Sequence, residues 1–201
     1  MIDSLRDRIR TDLRTHTDLG FNAEEIRKQK AQTSPMITTA AGLAHHGLLL
    51  PIFQMDLYDI DLAPVPAEHL ASLVSLPPIL YIMNVTNTDI VNLLDNIKCN
   101  ILRIGRQSLS SVETQALVRT MESNVGLVSV GGARGEVSLD IPTLTTYSGQ
   151  GKCREFQWRS SIGARRCREE VISWAQRINW AVTEDVFDDN INTGRITIER
   201  V

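Results

Sequence analysis

ILYIMNVTNTDIVNLLDNIKCNILRIGRQSLSSVETQALVRTMES, residues 79–123, holds two copies of one pattern. Each copy opens on an apolar pair, Leu80 with Ile82 and then Leu102 with Ile104, and runs on into a helical stretch. The step between them is 22 residues. Working outward, Tyr58 with Ile60 stands 22 residues earlier, and Val128 with Val130 stands 26 residues later. A unit of roughly 20–29 residues with one strand and one helix is the signature of a stacked repeat. Neither element can bury its apolar side alone. Stacking therefore builds a parallel sheet on one side and a layer of helices on the other. The spacing predicts parallel neighbours, in chain order, among strands at 55–62, 79–85, 101–105 and 126–130. A 22-residue step leaves room only for a short crossover.

The helices between these strands follow from caps and apolar spacing. A first helix is expected over 38–49. Pro66 suits the first turn of a helix carrying Leu70, Leu73 and Val74 inward. Asn87 or Thr88 is expected to cap a helix over 89–97 that buries Ile90, Leu93 and Leu94. Ser110 or Ser111 caps the next, with Glu113 in its first turn where the helix dipole favours negative charge. Beyond 130 the period loosens. A strand is expected over 153–158, a long helix over 163–178, a strand over 180–184, an acidic loop over 184–189 and a last strand over 195–201. Residues 1–36 read as a helical N-terminal arm, 37–160 as the repeat body and 161–201 as an α/β C-terminal cap, which a stack needs over its last apolar face.

Composition bounds the function. The chain has 201 residues, 42% apolar content and a net charge of −3. That is enough for a packed core and argues against a general polyanion binder. Its longest apolar run contains Pro51 and is too short to span a bilayer. The opening MIDSLRDRIRTDLR lacks an apolar signal core. Three cysteines, Cys99, Cys153 and Cys167, point to a reducing, cytoplasmic setting.

Residues alternating with the buried pairs should line the sheet's concave face. These are Asp59 and Asp61, Tyr81 and Met83, Arg103 and Gly105, and Ser129. An acidic end, an aromatic middle and a basic end have the composition of a protein-binding surface. A second candidate is the basic cluster Arg159, Arg165, Arg166 and Arg168, which could take an anionic partner such as RNA or an acidic protein. Catalytic chemistry finds little support. Ser148-Gly149-Gln150-Gly151-Lys152 resembles part of a phosphate loop but lacks its glycine spacing and the following Ser or Thr. Gly131-Gly132-Ala133-Arg134-Gly135 is a second glycine-rich turn that could hold an anion. His45 and His46 are adjacent and diverge on a helix, and no Cys-x-x-Cys is present, so neither a metal nor a cofactor is expected.

The runs LYDIDLAPVPAEHLASLVS, ILYIMNVTNTDIVNLLDNIKCN and ILRIGRQSLSSVETQALVRTMES resemble ribonuclease-inhibitor-type leucine-rich repeats. They are similar to the repeat ends of animal nucleotide-binding, leucine-rich-repeat immune receptors. The resemblance covers about residues 50–130, with a looser continuation to about 160. It implies a short α/β leucine-rich-repeat solenoid with a parallel sheet, and ligand sensing or autoinhibition through protein contacts. No GxxxxGK[ST] nucleotide motif accompanies it. The expected function is a non-catalytic interaction module that binds a protein partner on the concave face, without a membrane. The alternative is a small α/β enzyme or phosphate-ligand binder using the glycine loops at 131–135 and 149–152.

Overall fold

Apolar side chains at every second position drive the sheet. In the computed structural model, which describes residues 36–49, 52–131, 137–159, 166–188 and 193–201, seven strands form one open sheet. A helix over 36–45 (α1) comes first. Then follow β1 (Gln54–Tyr58), α2 (Ala67–Val74), β2 (Ile79–Met83), α3 (Ile90–Asn96), β3 (Ile101–Gly105), α4 (Ser111–Ser123) and β4 (Leu127–Gly131). The chain ends with α5 (Ile141–Leu144), β5 (Glu155–Arg159), α6 (Arg168–Arg177), β6 (Trp180–Asp188) and β7 (Thr193–Arg200). The sheet order is β1-β2-β3-β4-β5-β7-β6. The first four strands are parallel and sequential, as the spacing predicts, β5 extends them in parallel, and β7 joins β5 antiparallel. The expected N-terminal arm lies outside the described residues, apart from residue 36.

The first copy of the pattern sits three residues earlier than expected. Met55 and Leu57 oppose Leu80 and Ile82, so they are the buried pair of β1, and Tyr58 falls on the other face. Corresponding core residues Leu57, Ile82, Ile104, Val130 and Trp158 then follow at steps of 25, 22, 26 and 28. The physical reason is the backbone at Asp59, which turns left-handed with φ 49° and ends the strand. Asn84 (φ 51°) and Arg106 (φ 47°) occupy the same place after β2 and β3. Asp and Asn adopt this region more readily than most residues, and an Arg does so at a cost. The side chains at these turns meet. Asn84 Nδ2 donates to the Asp59 carboxylate, and Arg106 Nη1 lies 3.8 Å from Asp59 Oδ2.

Caps fix where the helices begin. Ser110 and Glu113 form a reciprocal capping box at the start of α4. Asp89, one residue later than expected, caps α3 by accepting from the Asn92 amide at 3.1 Å. Thr120 Oγ1, buried in α4, donates to the Leu94 carbonyl at 2.9 Å and ties two successive helices together. Exposed Arg119 forks onto Asp95 at 2.9 and 3.1 Å, a pair worth at most about 1 kcal/mol.

The last third departs most from the reading. The acidic stretch expected as a loop is the second half of β6, which pairs with β7 along its length with a bulge near Thr183. Because β7 lies between β5 and β6, residues beyond 160 extend the same sheet. An aromatic cluster fills the core there. The Phe156 and Trp174 rings lie 5.3 Å apart edge-to-face, and Tyr147 packs against Trp174 and Trp180. The Tyr147 hydroxyl is satisfied by the Cys153 carbonyl at 2.9 Å, as is Trp174 Nε1 by the Tyr147 carbonyl at 3.1 Å.

Ile82 is 3% exposed at the middle of the stack, between Leu57 and Ile104. Ile82→Ala should cost about 2–5 kcal/mol in a urea titration. A loss below about 1 kcal/mol would show that the register is wrong.

Candidate interaction face

The strands divide their side chains between two faces. One set, with Leu80, Ile82, Leu102 and Ile104 at its centre, joins the helices in a single core cluster. The alternate set belongs to none of that cluster and is mostly half-buried. Parallel register arranges it in rows. The middle row runs Asp56, Tyr81, Arg103, Ser129, Gln157 and Thr197. A flanking row runs Gln54, Ile79, Ile101, Leu127, Glu155 and Glu199. On the other flank Tyr58 opposes Met83, Met83 opposes Gly105, and Gly131, Arg159 and Arg195 continue on the later strands. Neighbouring strands lie about 4.8 Å apart, so residues within a row are cross-strand neighbours.

The centre of this face is a Tyr–Arg pair. The Arg103 guanidinium lies over the Tyr81 ring, its Cζ 4.9 Å from the centroid, and Nη1 donates to the Tyr81 hydroxyl. Such a cation–π contact contributes about 0.5–2 kcal/mol, more as water is excluded. Arg103 Nε is buried without a hydrogen-bond partner. Met83 folds over Gly105: a Cβ there would stand 3.0 Å from Met83 Cε. Ser129, expected as a contact residue, is only 2% exposed and forms floor instead of surface.

The three-residue shift of β1 changes which acids face outward. Asp56 and Tyr58 occupy the positions anticipated for Asp59 and Asp61. Asp59 sits in the turn described above. Asp61 forms an isolated bridge with Thr86 and accepts from the Ala63 amide at 2.9 Å. Ile79, Ile101 and Leu127, an apolar row beside the Tyr–Arg pair, were missed. Their signal was the same period of two, offset by one from each buried pair.

The basic cluster is redistributed as well. Arg159 leaves it for the sheet face, where burial first, and then repulsion by Arg195 and Arg103, push its guanidinium below the usual arginine range. Arg168 on α6 forks onto Asp185 on β6. Arg166 is exposed, and Arg165 lies outside the described residues. Arg195, which the sequence reading did not single out, pairs with Glu184 at 3.2 Å.

The phosphate-loop likeness at 148–152 resolves into a different structure. The Lys152 and Cys153 amides donate to the Glu122 and Met121 carbonyls at 2.8 Å, so the run closes the C-terminal end of α4. Lys152 Nζ donates to the Asn124 carbonyl at 2.9 Å, and Arg200 Nη1 donates to the Gly149 and Gly151 carbonyls at 3.3 and 3.0 Å. In the other glycine turn, residues 132–135 lie outside the described residues. Burial pushes the Cys99 and Cys153 thiols up to about 12, which leaves them protonated and unreactive as nucleophiles. His69 stacks on His45 with ring centroids 4.5 Å apart, and His46 stands 6.2 Å from His69, a grouping the reading did not foresee. Among the described residues no three His, Cys, Asp or Glu side chains are arranged to hold a metal ion, and no helix is long and apolar enough to cross a membrane.

Comparison with protein-family models, with curated proteins and with solved structures returns no match.

At Gly151 an added Cβ would stand 2.4 Å from Glu122 Cα, so backbone would have to yield. Gly151→Ala should cost about 1–3 kcal/mol in chemical denaturation, the usual range for overpacking. An unchanged midpoint would show that the loop does not seat on α4.

Proposed function

We propose that the chain is a leucine-rich-repeat-type solenoid, a non-catalytic module of the reducing cytoplasm that binds a protein partner on its open sheet face. One observation carries this reading. The face outside the core cluster presents ordered rows in which an aromatic, a methionine, an arginine and three branched aliphatic side chains lie side by side. Aromatic, Met and Arg side chains are the types enriched at interface centres, and a rigid sheet presents them at little cost in ordering. The sequential parallel order supports the solenoid part of the proposal, as does the recurrence of left-handed turn residues at Asp59, Asn84 and Arg106. Sensing or autoinhibition of an immune-receptor type is the role the resemblance adds.

The test is affinity capture with the intact chain. A Tyr81→Ala, Arg103→Glu double variant should keep its far-ultraviolet circular dichroism and lose the partner held by the parent chain. Arg165→Glu with Arg166→Glu should keep that partner. The reverse pattern would move binding to the C-terminal basic cluster.

A further inference from the structure

The charges on the open face do not balance locally. Three arginines, Arg103, Arg159 and Arg195, rise from β3, β5 and β7. Only Arg195 has a carboxylate in ion-pair range among the described residues, namely Glu184. Arg159 spends its Nε on the neutral Gln157 amide oxygen at 2.9 Å. Arg103 spends Nη1 on the neutral Tyr81 hydroxyl, and its Nε finds no acceptor. The acids on the face are hydrogen-bonded to other groups, Glu199 to the Thr183 hydroxyl at 3.0 Å among them. Glu155 accepts from Gln157, Glu184 accepts from Thr197 as well as pairing with Arg195, and Asp56, one strand beyond Tyr81, accepts from Gln54. Between the two unpaired arginines lies β4, which presents only Ser129 and Gly131 there. β4 thus places no charge between the guanidiniums, and the apolar row Ile79, Ile101 and Leu127 runs beside them.

Partly desolvated guanidiniums with no carboxylate in ion-pair range are costly to keep, and a carboxylate, like a phosphate, matches their planar donor fork. We infer that the protein partner presents an acidic segment to this face, seating a side-chain carboxylate against Arg103 and Arg159. The inference rests on the open-face reading and adds the partner's chemistry to it. Burial first, and then repulsion from Arg195 and Arg103, disfavours the charged form of Arg159, and Glu184 and Glu155 offset this only in part, so an arriving anion is favoured. Binding should therefore weaken steeply with salt.

The experiment uses the full chain and a fluorescein-labelled hexaglutamate peptide, followed by fluorescence anisotropy, with hexalysine as the control. The parent chain should bind hexaglutamate and not hexalysine. Arg103→Gln and Arg159→Gln should each weaken binding about tenfold, the loss expected for one charge-assisted contact. Arg159→Gln removes a repelled charge and should fold at least as stably as the parent, so it decides the matter if Arg103→Gln misfolds. Absent hexaglutamate binding, or binding unchanged in both variants, overturns the inference. So does loss only in Arg166→Glu, or displacement by millimolar inorganic phosphate, which would make the site a phosphate site. If hexaglutamate fails while Tyr81→Ala with Arg103→Glu still abolishes capture of the protein partner, the acidic chemistry is wrong and the open-face reading stands.

Discussion

The constraint on which everything else depends is the shared register of five parallel strands. Leu57, Ile82, Ile104, Val130 and Trp158 stand in one line across the sheet, each at most 3% exposed. A fully buried side chain of this size contributes roughly 1.5–3 kcal/mol. A slip of one residue in any strand would turn its set to the opposite face. The register therefore holds itself, and it also decides which side chains make up the open face. Tyr81 meets Arg103 only because Leu80 meets Leu102.

The turns after the strands preserve that alignment. Asp59, Asn84 and Arg106 leave their strands with the same left-handed backbone, and their side chains link across repeats. At the other strand ends the backbone is shared in the same way. The Leu127 amide donates to the Asn100 carbonyl at 2.9 Å, the Arg154 amide to Gly126 at 2.8 Å and the Arg200 amide to Arg154 at 2.9 Å. Buried backbone groups need such partners, and here each unit supplies them to the next. The antiparallel β6–β7 hairpin continues this pattern past the last parallel strand, which is how 161–201 joins the same sheet.

The fold was legible where period and composition agreed. Leu80, Ile82, Leu102 and Ile104 alternate strictly, and Ser110 with Glu113 spells a capping box, so the register of the centre could be read, although β2 ends at Met83, short of the expected 79–85. β1 was misplaced because Tyr58 and Ile60 imitate a buried pair. Only the positive φ at Asp59, a backbone property, shows that the strand has already ended. The acidic half of β6 was read as a loop because Glu184 and Asp185 carry no strand preference of their own; pairing with β7 decides their conformation. Of the open face, Tyr81, Met83 and Arg103 could be read from alternation. The meeting of Arg103, Arg159 and Arg195 could not, since strand order brings together residues far apart in the chain. Arg159 looked like part of a local basic run for the same reason.

The register can be tested directly by methyl nuclear Overhauser effects in the isotope-labelled chain. Adjacent strands place core methyls about 5 Å apart and alternate strands about 10 Å apart. The account predicts strong contacts from Leu57 to Ile82, from Ile82 to Ile104 and from Ile104 to Val130, with Leu57 to Ile104 weak or absent. Strong contacts from Ile82 to Val130 without contacts to Ile104, or contacts joining Tyr81 instead of Ile82 to Ile104, would contradict it.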